Sequence, residues 1–203
     1  MSEIIDYGNQ ILLYKNVVPN PQSVIEAVMS LESNLAVRPL MTELHEWNQA
    51  GQFRGYKVDI EYPEGTNYDI FTADSLIKDS IVLPIIDSVK SVIENFSSLF
   101  DIKERPNIIK RFQIREYRDG AGLGNHIDAG PGLDYRYSLV VYLNDSFSGG
   151  DIYFPEQDTT LKPSAGAIAI FPSTYEHGVN ATSDGTKWHV PLFWDYSSNK
   201  VMH

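Results

Sequence analysis

A change in hydrophobic period near Pro106 constrains the fold of this 203-residue chain more than any other feature. Beyond that proline, apolar and polar residues alternate or form short apolar runs, as they do in β-strands. Five such segments follow one another: Ile108–Tyr117, Tyr137–Leu143, Ile152–Phe154, Ala167–Phe171 and Lys187–Trp194. Glycine-containing turns separate them at short intervals, and this pattern predicts an antiparallel sandwich or barrel.

The N-terminal half predicts helices instead. Asn20 and Pro21 provide an N-cap and a proline at the first helical position. An apolar stripe at helical spacing follows: Val24, Ile25, Val28 and Leu31. A second stripe runs from Ile77 to Leu99, and Pro84 is expected to break or kink that helix. Helices that precede a β-sheet can cover one of its faces, so the predicted fold class is α+β, mainly β with N-terminal helices.

The chain is predicted to form a single domain. Its length is sufficient to bury a sizeable core without disulfides, and no repeat or linker divides it. Within residues 1–203, we expect residues 1–105 to provide helical support and residues 106–196 to form the β core that carries the site. The segment Thr42–Asp69 contains Trp47, Phe53 and Tyr56. It is expected to form either a lid over the site or a plain cap on the barrel.

The composition excludes several kinds of partner and site. Sixteen Lys and Arg against 27 Asp and Glu give a net charge of −11. This charge repels phosphate backbones, so no nucleic-acid partner is expected. Cys is absent, which excludes thiolate metal sites, iron–sulfur clusters and thiol nucleophiles. No apolar run is long enough to span a membrane and no secretory signal is visible, so a cytoplasmic location is expected.

The motif His126-Ile127-Asp128 is the strongest indication of chemistry. In an extended segment, side chains two residues apart point to the same side, so an imidazole and a carboxylate can bind one divalent ion. His177 is the best candidate for a third ligand. Two imidazoles and one carboxylate on one face of an ion are typical of non-heme Fe(II) oxygenases. Lys187 follows ten residues after His177, where its ammonium group can pair with the far carboxylate of a metal-bound dicarboxylic acid.

These residues belong to a longer series of motifs that resembles a known family. The series is Tyr117-Arg118-Asp119-Gly120, His126-x-Asp128, Tyr142-Leu143-Asn144, Ser148-Gly149-Gly150-Asp151, His177 and Gly185-Thr186-Lys187-Trp188. In this order the motifs are similar to those of the prolyl 4-hydroxylase-like branch of the Fe(II)/2-oxoglutarate-dependent dioxygenases. The resemblance covers Ile108 to Trp194. It implies a double-stranded β-helix, or jelly roll, flanked by helices.

The resemblance also implies residue roles, cofactors and a reaction. His126, Asp128 and His177 would bind Fe(II). Lys187 would bind the C5 carboxylate of 2-oxoglutarate, Tyr142 would hydrogen-bond the same carboxylate, and Tyr117 would line the cosubstrate pocket. The implied enzyme uses O2 and 2-oxoglutarate as cosubstrates, with ascorbate as an optional reductant, and hydroxylates an unactivated C–H bond. The implied substrate is a proline in a protein or peptide.

Departures from the family leave the substrate open. Ala121 and Leu123 stand where the family often has Gln and a second Tyr, and that tyrosine helps to form the peptide site. A free amino acid or another small metabolite is therefore an alternative substrate. A non-catalytic, cupin-like metal-binding module is a further alternative, which Lys187 disfavours because such a module has no use for a dicarboxylate anchor.

Two further residues are candidates for contact with the substrate. Arg115 shares a strand face with Tyr117, and His189 shares one with Lys187, because alternate residues of a strand point to the same side. The other interpretations are an exposed charge on the sheet for Arg115 and an ordinary packed histidine for His189.

Overall fold

A computed structural model describes residues 3–33, 39–40, 53–58, 83–103, 112–118 and 120–195 of the chain. These residues form two helices, α1 (Pro21–Ser33) and α2 (Leu83–Leu99), and fourteen strands. In chain order the strands are β1 (Glu3–Asp6), β2 (Leu12–Lys15), β3 (Pro39–Leu40), β4 (Phe53–Val58), β5 (Phe112–Tyr117), β6 (Leu123–His126), β7 (Tyr135–Tyr142), β8 (Ser148–Gly149), β9 (Ile152–Phe154), β10 (Thr159–Leu161), β11 (Ile168–Pro172), β12 (His177–Val179), β13 (Thr182–Ser183) and β14 (Lys187–Asp195). The predicted fold class, mainly β with helices in the N-terminal half, is confirmed.

The strands form two main sheets. The larger sheet has the order β1-β2-β11-β7-β14-β5-β4-β3, the smaller has the order β10-β9-β12-β6, and β8 pairs with β13. The neighbouring strands run antiparallel, including pairs far apart in sequence such as β2 with β11 and β7 with β14. The five strands predicted from the sequence correspond to β5, β7, β9, β11 and β14.

Apolar side chains pack on both faces of the larger sheet. On one face, strand residues contact α1 and α2, whose Val28, Val89 and Phe96 are buried among them. On the other face, a second cluster joins the larger sheet to the smaller one. Phe171 of β11 and Phe154 of β9 lie in this cluster with their ring centroids 4.9 Å apart. The layers are therefore helices, large sheet and small sheet, and each large apolar side chain that is fully buried contributes roughly 1.5–3 kcal/mol.

The N-terminal hairpin of β1 and β2 does not follow from the sequence patterns. β2 lies inside the larger sheet, where it pairs with β11. Leu12 and Tyr14 belong to the cluster on the helix side, whereas Leu13 belongs to the cluster between the sheets. A strand that is covered on both faces shows a short apolar run without alternation, and such a run does not distinguish a strand from a helix.

Two predicted boundaries differ from the structure. Pro84 is the second residue of α2, in the first turn, where a missing amide costs no helical hydrogen bond. The earlier part of that predicted helix, residues 77–82, lies outside the described residues. Within Thr42–Asp69, the alternation of Lys57–Tyr62 indicates a strand, but the strand of the structure begins earlier, because β4 covers Phe53–Val58 and pairs with β5 in the larger sheet.

The remainder of the segment predicted as a lid or cap, Thr42–Asp69, lies outside the described residues, and so does Trp47. The role of Thr42–Asp69 as a lid or cap stays a prediction, as does the division of the chain at residue 105. Neither of the two described helices is both long enough and apolar enough to cross a membrane.

Candidate active site

Two short strands of the smaller sheet bring the predicted histidines together. β12 pairs with β6 so that His177 lies directly opposite His126, and their ring centroids are 4.3 Å apart. Asp128 follows β6 by two residues and turns back toward both rings. Cross-strand neighbours in an antiparallel pair have adjacent side chains on one face. The pairing of these strands therefore places residues 51 positions apart in the chain at one site.

The three side chains converge on a common point. Nε2 of His126 lies 3.5 Å from Oδ1 of Asp128, and Nε2 of His177 lies 3.4 Å from Oδ2 of the same carboxylate. One ligand atom from each residue lies within 4.8 Å of the other two, and among the described residues this is the group whose geometry suits a metal ion. Two neutral imidazoles and one carboxylate are the donor set of the non-heme Fe(II) triad.

Hydrogen bonds on the far side of each ring fix the histidine tautomers. Nδ1 of His126 donates to the carbonyl of Gly124 at 2.9 Å, and Nδ1 of His177 donates to the carbonyl of Tyr175 at 3.0 Å. With the proton on Nδ1, each Nε2 presents a lone pair to the Asp128 carboxylate. A cation between the three electron-pair donors would stabilise them, because they face one another. In metal-bound histidines, the ring nitrogen that does not bind the metal usually donates to a carbonyl or a carboxylate, as Nδ1 does here.

The mutual contacts of the three groups shift their pKa values and keep Asp128 ionised. Burial opposes the charged form of His126, but its contacts with Asp128 and Gly124 outweigh this and raise its pKa. At His177, burial dominates and lowers the pKa. Burial also opposes the charged form of Asp128, but His126, His177 and Ser138 together lower its pKa. The carboxylate is therefore negative at neutral pH.

A buried pair of serines holds the Asp128 carboxylate in place. The hydroxyl of Ser138, on β7, donates to Oδ2 of Asp128 at 2.6 Å, and it lies 2.8 Å from the hydroxyl of Ser173. Both serines are almost fully buried. Sequence reasoning missed them, because nothing in a lone Ser of an apolar strand indicates contact with a residue ten positions earlier.

Lys187 lies in the same cavity, at the start of β14. It is 1% exposed, and its Nζ donates to the carbonyl of Gly150 at 2.7 Å. The ammonium group lies 5.3 Å from the ring centroid of Tyr142 and 5.7 Å from that of Tyr117. Burial lowers the pKa of Lys187 to about 7, although the nearby Asp151 acts in the opposite direction. The carbonyl of Gly150 and the charge of Asp151 offset only part of the cost of burying this ammonium group, so Lys187 is suited to bind an anionic ligand.

Two residues from the sequence motifs, Gly150 and Asn144, hold Lys187 in position. Gly150 has a φ of 67°, and a Cβ there would lie 3.0 Å from Cδ of Lys187, so a side chain would displace the lysine stem. Asn144 binds the backbone on both sides of Lys187. Its amide donates to the carbonyl of Thr186 at 2.7 Å, and its Oδ1 accepts from the amide of Trp188 at 2.8 Å.

Residues of both sheets line one cavity. His126, Asp128 and His177 line one part of it, and Lys187 and Tyr117 line another. Tyr142 is fully buried behind this wall, and its hydroxyl has no hydrogen-bond partner among the described residues. An unsatisfied buried hydroxyl next to a buried ammonium group can bind a carboxylate that reaches between them.

Arg115 and His189 also line the cavity. They are register partners on β5 and β14, and the His189 ring packs edge-on against Tyr117 at a centroid distance of 4.7 Å. His189 is buried, and burial together with the charges of Lys187 and Arg115 lowers its pKa well below the usual value. Arg115 therefore lines the same cavity as Tyr117, and His189 the same cavity as Lys187, as the alternation along the strands predicts. Leu123 lies in the cavity wall as well, where the family often has a tyrosine.

Comparison with known proteins shows a family resemblance over the β core. The profile of the 2OG-Fe(II) oxygenase superfamily matches residues 112–194. Over these residues the chain is similar to this superfamily. The match includes all eight residues that the sequence analysis assigns to the site, and the predicted resemblance to prolyl 4-hydroxylase-like 2-oxoglutarate oxygenases is confirmed.

Individual relatives cover different shares of the chain. A PKHD-type hydroxylase of Crocosphaera subtropica is 24% identical over 186 residues, which are 83% of this chain and 81% of the relative. One from Maricaulis maris is 29% identical over 89 residues, 41% of each chain. Human prolyl 3-hydroxylase 2 is 36% identical over 72 residues, 32% of this chain and 10% of the relative. The chain thus spans well under two thirds of two of these three relatives.

The fold has solved counterparts. The crystal structure of a Pseudomonas putida prolyl-4-hydroxylase superposes with a TM-score of 0.65 at 12% identity, and the match covers 94% of this chain and 95% of that one. This likeness confirms the predicted jelly-roll fold.

Proposed function

We propose that this chain is an Fe(II)- and 2-oxoglutarate-dependent dioxygenase that hydroxylates an unactivated C–H bond. The proposal rests on one observation, that a single cavity contains both a possible metal site and a buried cation. Two imidazole Nε2 atoms and a carboxylate converge in one part of it, and a buried ammonium group lies in another. Similarity to the 2OG-Fe(II) oxygenase superfamily supports Fe(II), 2-oxoglutarate and O2 as the reactants; a role for ascorbate stays a prediction.

Each residue has a distinct task in this proposal. His126, Asp128 and His177 bind Fe(II), which with 2-oxoglutarate and O2 supplies the oxidising power for C–H hydroxylation. Lys187 binds the C5 carboxylate of 2-oxoglutarate by a charge-assisted hydrogen bond, and the Tyr142 hydroxyl donates to the same carboxylate. Tyr117 forms the wall against which the ammonium group rests.

The protein contributes orientation and exclusion of water. The carbonyls of Gly124 and Tyr175 hold each Nε2 toward the metal, and Ser138 holds the carboxylate. Apolar side chains such as Phe171 and Val179 line the cavity and keep bulk water away from a reactive centre.

The substrate we propose contains a proline-type ring. The name of the human relative, prolyl 3-hydroxylase 2, supports a prolyl residue of a protein or peptide, the first prediction from the sequence. The second candidate is a small molecule such as a free amino acid. Leu123 in the cavity wall favours it, because an aliphatic side chain there cannot donate the hydrogen bond that a tyrosine would offer to a peptide.

The alternative of a non-catalytic metal-binding module is disfavoured by Lys187. Burying an ammonium group costs free energy, and a module that only holds a metal gains nothing from that burial. A turnover assay separates the two functions. The Fe(II)-loaded chain is supplied with 2-oxoglutarate and O2, and succinate is measured with proline-containing peptides and free amino acids.

An oxygenase forms succinate in an O2-dependent manner, and a compound that it accepts gains 16 mass units. Lys187→Met is expected to reduce succinate formation by at least about 100-fold, because a buried charge-assisted contact is lost. Lys162→Met, at an exposed lysine, is the matched control and should behave as the wild type. Absence of O2-dependent succinate from the wild-type chain under all of these conditions would favour the binding module.

A further inference from the structure

The strand pair that joins the two histidines contains a β-bulge. Between its two paired positions β12 has one residue, Gly178, whereas β6 has two, Gly124 and Asn125. A bulge of this kind leaves one residue unpaired, disrupts the ladder locally and redirects the side chains beyond it. Leu123 and His126 are three positions apart and yet both line the cavity, which unbroken alternation would not allow. The bulge therefore turns the His126 ring toward the cavity.

The same bulge supplies the hydrogen bond that orients this ring. The carbonyl of Gly124 accepts from Nδ1 of His126 at 2.9 Å. β6 is the last strand of the smaller sheet, and among the described strands it pairs with β12 alone. The conformation of Gly124 and Asn125 thus decides where Nε2 of His126 lies, and the backbone ladder gives these two residues little support.

A side-chain network on the outer face of the smaller sheet crosses the bulge. The residues before and after Tyr153 in β9 belong to the cluster between the sheets, so Tyr153 points to the opposite face. Its hydroxyl donates to Oδ1 of Asn125 at 2.6 Å. The side-chain amide of Asn125 donates in turn to Oε2 of Glu176 at 3.4 Å. Because Asn125 precedes His126 and Glu176 precedes His177, the network connects the neighbours of both histidines.

Gly178 lets the tyrosine reach across β12. It is the register partner of Tyr153, and a Cβ at Gly178 would overlap the phenol ring. The ring therefore lies directly over the backbone of β12, and its hydroxyl reaches β6 on the far side. A glycine one residue after His177 thus allows a single hydrogen bond to span the three strands β9, β12 and β6.

We infer that Tyr153 is a positioning residue for the metal site. Through Asn125 it holds the bulge of β6 in one conformation, and so it keeps Nε2 of His126 turned toward Asp128 and His177. This inference rests on the proposed function, because it concerns the same metal site. The physical reason is preorganisation: without the hydrogen bond the bulge has more conformations, and metal binding must then restrict them at a cost in affinity.

Tyr153→Phe tests the inference, because it keeps the ring over Gly178 and removes only the donor. The dissociation constant for Fe(II), measured by anaerobic titration, should rise at least about threefold, as the loss of one hydrogen bond implies. Asn125→Ala removes the acceptor and should have a similar effect. The double variant should bind Fe(II) no more weakly than Asn125→Ala alone, since both changes break one contact. The affinity of the Fe(II)-saturated chain for 2-oxoglutarate should not change, because Lys187 lies on β14 of the other sheet.

Tyr14→Phe is the matched control for a purely structural effect. The hydroxyl of Tyr14 donates to Oδ1 of Asn95 at 3.0 Å, so this variant also loses a hydrogen bond between a tyrosine and an asparagine. Tyr14 belongs to the cluster on the helix side of the larger sheet, away from the metal site. Tyr14→Phe should lower the midpoint of urea unfolding and leave the affinity for Fe(II) unchanged.

The inference is overturned if Tyr153→Phe binds Fe(II) as tightly as the wild type, or if Tyr14→Phe weakens Fe(II) binding to the same extent. A wild-type chain that does not bind Fe(II) would overturn both the inference and the proposed function. Fe(II) binding without O2-dependent succinate would overturn the proposed function alone, and the affinities of Tyr153→Phe and the wild type would still decide the inference.

Discussion

Single residues set the geometry of the proposed metal site, as the contacts of Ser138 show. Its hydroxyl contacts Asp128 at 2.6 Å and Ser173 at 2.8 Å, so it fixes the orientation of the carboxylate that faces both histidines. We predict that Ser138→Ala weakens Fe(II) binding by about 10- to 100-fold, as is usual for partners of metal ligands. Anaerobic titration with Fe(II) measures this.

Ser138→Thr keeps a hydroxyl on the strand and is expected to retain most of the affinity. Ser91→Ala, at an exposed position of α2, is the control and should bind Fe(II) as the wild type does. Equal affinities for Ser138→Ala and the wild type would show that the carboxylate needs no such support.

Lys187 should oppose stability at the same time as it supports function. Its ammonium group is 1% exposed, and a buried charge is costly unless it is paired. We predict that Lys187→Met raises the free energy of unfolding of the ligand-free chain by a few kcal/mol at pH 6 and abolishes stabilisation by added 2-oxoglutarate. Urea unfolding of both chains, with and without 2-oxoglutarate, measures both effects. Lower stability of the variant would contradict this account.

At the scale of elements, a polar clamp joins the end of β7 to the start of β14. Asn144 holds the backbone at Thr186 and Trp188 and so fixes Lys187 between them. We predict that Asn144→Ala raises the KM for 2-oxoglutarate by about tenfold and lowers the free energy of unfolding by about 1–3 kcal/mol, because a part-buried amide loses its partner. Fe(II) affinity should not change, since the two histidines of the proposed metal site lie on β6 and β12 and Asp128 follows β6 by two residues. A parallel loss of Fe(II) affinity would indicate that the clamp supports the whole cavity instead.

The long strands of the β core and the three-residue strand β9 could be predicted from the sequence, but most of the short strands could not. β7 and β14 contain eight and nine residues and show alternation, whereas β6 and β12 contain four and three and are built partly from Gly and His. The sequence motifs alone predicted that the side chains of His126, Asp128 and His177 converge. The pairing of His126 with His177 across two strands, and the contacts of Ser138, Ser173 and Asn144, depend on residues distant in sequence, so local pattern does not reveal them.

At the scale of the whole molecule, Lys187 couples stability to pH. Burial lowers its pKa from 10.5 to about 7 in the folded state, whereas the unfolded chain keeps the usual value. Between these two values the unfolded state binds more protons, so the contribution of this group to stability rises with pH. Its cost is complete below about pH 7 and disappears above pH 10.5.

We therefore predict that the stability advantage of Lys187→Met over the wild type shrinks as the pH rises from 7 to 9.5, and urea unfolding at the two pH values measures it. The wild type and Lys187→Met contain the same other titratable groups, so the difference between their free energies of unfolding reports on Lys187. Binding of 2-oxoglutarate should weaken over the same range, because the anion binds the protonated lysine. A difference between the two chains that does not change with pH would contradict the assignment to Lys187.

The central claim is that His126, Asp128 and His177 hold Fe(II) in a form that 2-oxoglutarate chelates while Lys187 binds its far carboxylate. Anaerobic addition of 2-oxoglutarate to the Fe(II)-loaded chain, followed by absorption spectroscopy, tests it most directly. We predict a metal-to-ligand charge-transfer band that is lost in His177→Ala and that needs far more 2-oxoglutarate in Lys187→Met. No band in the wild type, or an undiminished band in His177→Ala, would contradict the account.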